Sequence, residues 1–242
     1  MKWIRLTLKA LMLLLALFLL GFSLMEHKKT TIQSLKIEPD YESSGLYLVS
    51  VPEIEAQILS GEPDIVGKEL SLINTELLEE MLKTDPYVKS AEVYSTLRGV
   101  LIAEIEQRKP VLRVLPEGKP HYYLDADGHP LPLSPHFSAS VRLFHSAKPK
   151  GNIEGFLFIN RLLEQDEFLN SMFAEVIVDE NEHYTLIPSI GSQKVLLGSV
   201  DNIDTKLHNL KWFYKKAMTA ERWDQYTNID LRFDNQVVCE KK

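Results

Sequence analysis

The sequence predicts an α+β fold carried behind a single N-terminal transmembrane helix, on three observations. Apolar residues recur at helical spacing in some segments and at every second position in others. The 242 residues are 45% apolar and 25% charged, enough to bury a substantial core. The first thirty residues hold a long uncharged run. Together these divide the chain into a cytoplasmic tail (1–9), a membrane span (10–25, extendable back to residue 3), a first unit (30–109) and a β-rich unit with helices (110–242).

Ala10 to Met25 contains no charge, and Trp3 to Met25 is interrupted only by Arg5 and Lys9. A 23-residue helix over Trp3–Met25 would be about 34 Å long, against a hydrocarbon core of about 30 Å. A cleaved secretory signal is the competing reading, but Gly21-Phe22-Ser23-Leu24-Met25-Glu26 lacks an A-x-A-like site. Lys2, Arg5 and Lys9 keep the tail cytoplasmic under the positive-inside tendency. Either reading exports everything after residue 30.

The first unit reads strand, helix, helix, strand, strand. Ile32–Ile37 is the first strand, followed by a short extended piece at Tyr47–Val49. Pro52 suits the first turn of a helix whose Val51, Ile54 and Ile58 share a face. Asn74 is the cap of a second helix, with Ile73, Leu77 and Met81 as its apolar stripe and Pro86 as its stop. Val88–Tyr94 and Val100–Gln107 form a hairpin around a glycine-containing turn. In the second strand Leu101, Ala103 and Ile105 face the core, which leaves Glu104 and Glu106 together on the opposite side. Their pairing raises acid–base catalysis, but nothing around them would push two pKa values apart, and a solvated strand face explains them.

The β-rich unit opens with strands at Val111–Leu115, Tyr122–Leu124 and Pro130–Leu133. The turn Asp125-Ala126-Asp127-Gly128 resembles a fragment of a calcium loop but lacks the later ligands. A helix over 156–173 turns Phe156, Ile159, Leu162 and Leu163 inward. A meander then runs through Ala174–Val178, Tyr184–Pro188 and Lys194–Leu197. Ile203, Leu207, Leu210, Tyr214 and Ala217, spaced 4, 3, 4 and 3, mark the last helix. A single strand-like run from Asn228 to Lys242 ends the chain.

The chemistry classes narrow quickly. A net charge of -7 argues against nucleic-acid binding. The one cysteine, Cys239, excludes an intrachain disulfide and a cysteine zinc cluster, while an interchain pairing stays open. His129, His136 and His145 fall in a proline-rich, loop-like stretch without zinc-ligand spacing. Hydrolase, metalloprotease, Walker and dinucleotide motifs are all absent from the sequence. No catalytic residue, metal or cofactor is expected, and an exported two-unit chain of this kind points to binding.

Ordered motifs give the chain a likeness to a family. They are Asp85-Pro86-Tyr87-Val88-Lys89-Ser90-Ala91-Glu92-Val93-Tyr94, Ile105-Glu106-Gln107-Arg108-Lys109-Pro110-Val111, Tyr123-Leu124-Asp125-Ala126-Asp127-Gly128, Val195-Leu196-Leu197-Gly198 and Ile229-Asp230-Leu231-Arg232-Phe233. In this order they resemble the bacterial cell-division family FtsQ/DivIB, in its Bacteroidota-type form. The resemblance implies a POTRA-like first domain, a junction at Arg108, Lys109 and Pro110, and a single-pass protein of the inner membrane whose domains lie in the periplasm, enriched at the septum. It implies a non-catalytic scaffold that holds FtsB- and FtsL-type coiled-coil partners upstream of septal peptidoglycan synthesis, with other divisome components meeting the POTRA-like domain. In such relatives the partner adds as a strand to the last strand, which by position points to Arg232, Phe233, Gln236, Val237 and Val238. Ser199 departs from the basic residue many relatives carry there. The alternative is a POTRA-type periplasmic chaperone or docking module for outer-membrane or secreted proteins, although neither tandem modules nor a barrel pattern accompany it.

Overall fold

The computed structural model describes residues 9, 11–18, 30–148, 151–218, 223 and 225–242. Residues 11–18 are helical. The expected span at 10–25 lies partly outside the described residues, and among those described no helix is long and apolar enough to cross a membrane. The chain divides into two compact units, 1–108 and 109–242.

In the first unit β1 (Ser34–Pro39) leads through a short α1 (Tyr41–Ser44) to α2 (Val51–Gly61) and α3 (Thr75–Leu82). The hairpin β2 (Val88–Ser95) and β3 (Val100–Gln107) completes it. The sheet order is β1-β3-β2, with β1 parallel to β3 and β2 antiparallel. A parallel neighbour needs a crossover, and the two helices supply it, covering one sheet face. Leu101, Ala103 and Ile105 are buried beneath them with Ile54, Ile58, Leu78 and Leu82.

The Asn74 cap forms as expected, its Oδ1 accepting from Leu77 N at 3.1 Å. The stripe expected on α3 requires correction: Leu77 is 59% exposed, and Leu78 and Leu82 face the core. Ile73 precedes the cap and is buried with Leu78, in the pairing that fixes a helix's entry angle.

Gln107 is the polar keystone of this unit. It is fully buried, and its Oε1 accepts from Leu48 N (2.8 Å) and Val49 N (3.1 Å). Its Nε2 donates to Asp40 Oδ1 (2.9 Å) and Leu46 O (3.0 Å). All four amide positions are satisfied, so one side chain ties the end of β3 to the 46–49 loop. On the other face Glu104 meets the Tyr94 hydroxyl, and Glu106 pairs with Lys89 and Ser90 at 2.8 Å each. The hydrogen bond to Glu104 is the main reason the Tyr94 phenol is pushed up to about 12. These bonds leave the two carboxylates as members of a cross-strand polar face.

The second unit is built on one nine-stranded mixed sheet in the order β12-β11-β10-β9-β8-β7-β4-β5-β6. Its strands are β4 (Pro110–Pro116), β5 (Tyr122–Asp125), β6 (Pro130–Pro132), β7 (Arg142–Ser146), β8 (Phe173–Val178), β9 (Tyr184–Pro188), β10 (Lys194–Gly198), β11 (Tyr226–Asp230) and β12 (Val238–Lys241). The pairs β4/β7, β7/β8 and β10/β11 are parallel. The latter two carry helices in their crossovers: α4 (Ile153–Glu164) and α5 (Glu167–Met172) before β8, and α6 (Ile203–Lys216) before β11. Phe144, Phe156, Phe173, Leu186, Val195 and Leu210 lie at the centre of the core between helices and sheet.

Two expectations change here. The helix foreseen over 156–173 is two helices, broken where Asp166 caps α5 by accepting from Phe168 N (3.0 Å) and Leu169 N (3.2 Å). The supposed loop around His145 is the interior strand β7, between β4 and β8, where His145 Nε2 lies 3.0 Å from Glu175 Oε2 on β8. Arg142 opens that strand with its guanidinium buried. It donates to Phe173 O (2.8 Å), to Asn170 Oδ1 (2.7 Å) and to Asn160, which in turn holds Val111 O (3.2 Å). Desolvation pulls the Arg142 pKa down, and these acceptors offset the cost of burying the charge.

Candidate partner-binding edge

The C-terminal run is a hairpin and not the single strand expected. Phe233 to Gln236 turn the chain, with Asn235 in the left-handed region at φ 56° and Gln236 N donating to Phe233 O at 3.3 Å. The edge of the sheet is therefore β12, paired to β11 as Asp230↔Val238, Ile229↔Cys239 and Asn228↔Glu240.

Strand alternation identifies which backbone groups this edge exposes. Leu231 N donates to Leu196 O at 2.9 Å, so Leu231 and Ile229 direct their groups toward β10, and Asp230 and Asn228 toward β12. Val238 and Glu240 answer them. Cys239 and Lys241 consequently direct their N–H and C=O away from the sheet, where no described strand pairs with them. Side chains alternate the other way: Val237 and Cys239 pack against the core, while Val238 and Glu240 are exposed. Burial pushes the Cys239 thiol up, keeping it protonated and poorly reactive.

The opposite edge of the same sheet is closed chemically. In the β5/β6 register Leu124 faces Pro130, Tyr123 faces Leu131 and Tyr122 faces Pro132. A proline has no N–H to give β5, so Leu131 bonds inward while Pro130 and Pro132 occupy the two outward positions. In the first unit the outward N–H of Val93 on β2 is taken by Glu79 Oε1 at 2.9 Å.

Beside β12, the hairpin turn and the start of α6 enclose a cavity of about 300 Å³ whose lining includes Phe233, Gln236, Leu231, Asn202, Lys206 and Asn209. Phe233 is 53% exposed at its rim. Lys206 Nζ donates to Leu197 O (3.0 Å) and Ser199 O (2.8 Å), so a lysine from α6 bonds the turn that contains Ser199. Arg232 folds back on Asp230, with Nε to Oδ1 at 2.9 Å and Nη2 to Oδ2 at 2.6 Å. This pairing holds the Asp230 carboxyl below its usual range. The Arg232 stem crosses Gly198, where an added Cβ would lie 2.8 Å from Arg232 Cγ, and Gly198 has φ +71°.

Of the five residues expected at the site, Phe233 and Gln236 meet at the cavity and Val238 begins the edge strand. Val237 is a core contact, and Arg232 is neutralised within the chain. Arg108, Lys109 and Pro110 belong to the junction: Arg108 N donates to Tyr87 O at 2.8 Å, and Pro110 opens β4. Sequence reasoning missed the backbone of Cys239 and Lys241. The asparagine turn at Asp234-Asn235 was the signal that could have located the true edge. The Asp125-Asp127-His129 group gathers around a tight turn in which Asp125 Oδ1 accepts from Asp127 N (3.0 Å) and His129 N (2.8 Å).

A small β-α-α-β-β module and a mixed sheet with one open and one proline-blocked edge define the class: a two-unit α+β protein. A family model described as FtsQ/DivIB, C-terminal related, matches residues 109–240, and one described as a POTRA-like domain matches residues 41–106. The chain belongs to the FtsQ/DivIB family. It is similar to the cell division protein FtsQ of Salinibacter ruber, 26% identical over 186 residues and covering 71% of each chain. FtsQ of Rhodothermus marinus is 25% identical over 188 residues, covering 73% of this chain and 68% of that one.

Proposed function

We propose that this protein is a membrane-anchored scaffold of the division machinery that receives FtsB- and FtsL-type partners by strand addition along β12 and links them to septal peptidoglycan synthesis. The observation that carries the reading is the outward N–H and C=O of Cys239 and Lys241, beside a cavity rimmed by Phe233. An extended segment laid there gains main-chain hydrogen bonds, and its alternate side chains can reach the Phe233 and Gln236 pocket for specificity. The cell-division names of the relatives support the setting. The charge-neutral Arg232–Asp230 pair gives a partner carboxylate a target only by exchange with Asp230. Such a scaffold acts without catalysis, using its first domain for recruitment.

The chaperone alternative asks the POTRA-like sheet to accept strands at β2, and the bond from Val93 N to Glu79 stands against that use. Depletion tests the proposal. Filamentous cells with unfinished septa are expected, and normal division accompanied by an outer-membrane assembly defect would overturn it.

A further inference from the structure

The uncharged run ends at Met25, and five residue steps separate it from Thr30. Each step spans at most about 3.6 Å, so a membrane-embedded run holds Thr30 within about 18 Å of the hydrocarbon. Headgroups occupy roughly 5–8 Å of that distance on each side. Whatever is built around Thr30 therefore stands at the bilayer surface.

Two segments are built there. Leu70 N donates to Thr30 O (3.0 Å), Ile32 N to Lys68 O (2.8 Å) and Gly67 N to Ile32 O (2.8 Å), which brings in residues 66–72. Gln33 N donates to Gly99 O (2.8 Å), which brings in the β2–β3 turn; a Cβ on Gly99 would lie 2.4 Å from Thr31 O, so only glycine fits so close. These segments carry Leu97, Leu72 and Val66, exposed by 82%, 68% and 53%. Leu97 and Leu72 are the two most exposed large apolar side chains in residues 30–108. Isolated exposed leucines need no explanation, but their convergence on the point of chain entry does.

We propose that this end of the first unit rests on the bilayer, with Leu97, Leu72 and Val66 in the headgroup–acyl boundary and the neighbouring Arg98 at lipid phosphates. The surface is chosen over a protein partner because the chain's own tether delivers it there. The contact would fix the orientation of the first unit over the membrane. It rests on the membrane-anchored part of the function proposed above.

The test uses the full chain carrying Cys239→Ser, with Leu97→Cys, Leu72→Cys or, as control, Ile190→Cys, each labelled with a polarity-sensitive fluorophore. Ile190 is as exposed as Leu72, at 68%, but belongs to the second unit. Proteins are reconstituted into phosphatidylethanolamine–phosphatidylglycerol vesicles with or without bromine-labelled acyl chains. Vesicle flotation with blue-shifted, bromine-quenched emission at 97 and 72, and neither change at 190, is expected. Flotation without quenching at 97 and 72 overturns the inference and leaves the anchor standing. Failure to float overturns the anchor and the inference with it. Shielding of 97 and 72 only after a soluble partner is added assigns the patch to protein and also overturns the inference.

Discussion

The two edges of the nine-stranded sheet are the same kind of object with opposite chemistry. At β6 both outward positions are prolines, Pro130 and Pro132, and no N–H faces out from them. At β12 the equivalent positions are Cys239 and Lys241, each with an N–H. An open edge invites unwanted pairing, which is why edges are usually short, charged or interrupted. This sheet blocks one edge by covalent structure and keeps the other short, with a cavity beside it. The first unit follows the blocked pattern at Val93 by a different device, a helix carboxylate. The contrast teaches that outward N–H donors are removed at β6 and present at β12, the asymmetry on which the proposed strand addition rests.

The strongest way to break the contrast is Cys239→Pro, which removes an outward N–H and leaves the β11 ladder intact. Losing one buried hydrogen bond costs about 1–3 kcal/mol, a fall in partner affinity on the order of ten- to a hundred-fold by titration calorimetry. Glu240→Pro, whose N–H faces β11, is expected instead to lower the melting temperature of the second unit. Gly198→Ala comes next. The left-handed backbone alone costs about 1–2 kcal/mol, and the new Cβ displaces the Arg232 stem, so chemical denaturation should show that loss or more.

Replacing Pro130 and Pro132 with valine sharpens the contrast from the other side. It returns two donors to β6 and loosens the unfolded chain, costing about 0.4–1 kcal/mol per site. Light scattering should then show mass rising more steeply with concentration than in the wild type.

Acid gives the smallest effect. The Asp230 pKa is depressed in the folded protein, so its stabilisation is fully present above the unfolded value of about 3.9 and is lost as pH falls through the folded one. With Arg232 half exposed, the loss is on the order of 1 kcal/mol or less, read as loosening of the hairpin by NMR below about pH 4.

Much of the architecture was legible because parallel pairs require crossover helices and those helices carry clear stripes. Leu207, Leu210 and Tyr214 announced α6, and Leu101, Ala103 and Ile105 announced β3. The misses have physical causes. Leu77 and Leu78 are adjacent leucines on a two-turn helix, and periodicity over so short a span does not choose between them. β7 was hidden because Arg142 occupies a core position, and a buried guanidinium reverses the expected pattern. The residues expected at the candidate site fall on the C-terminal hairpin, and the open backbone groups of its edge belong to Cys239 and Lys241. Side-chain motifs drew attention to Arg232 and Val237, whereas the exposed chemistry belongs to the main chain, whose direction depends on register and is silent in sequence.

Amide hydrogen exchange of the intact protein, with and without a purified FtsB-type partner, tests strand addition most directly. Slowed exchange at Cys239 and Lys241, with Leu131 on β6 unchanged, is the predicted result. Partner binding that leaves both amides exchanging at their free rates would contradict it.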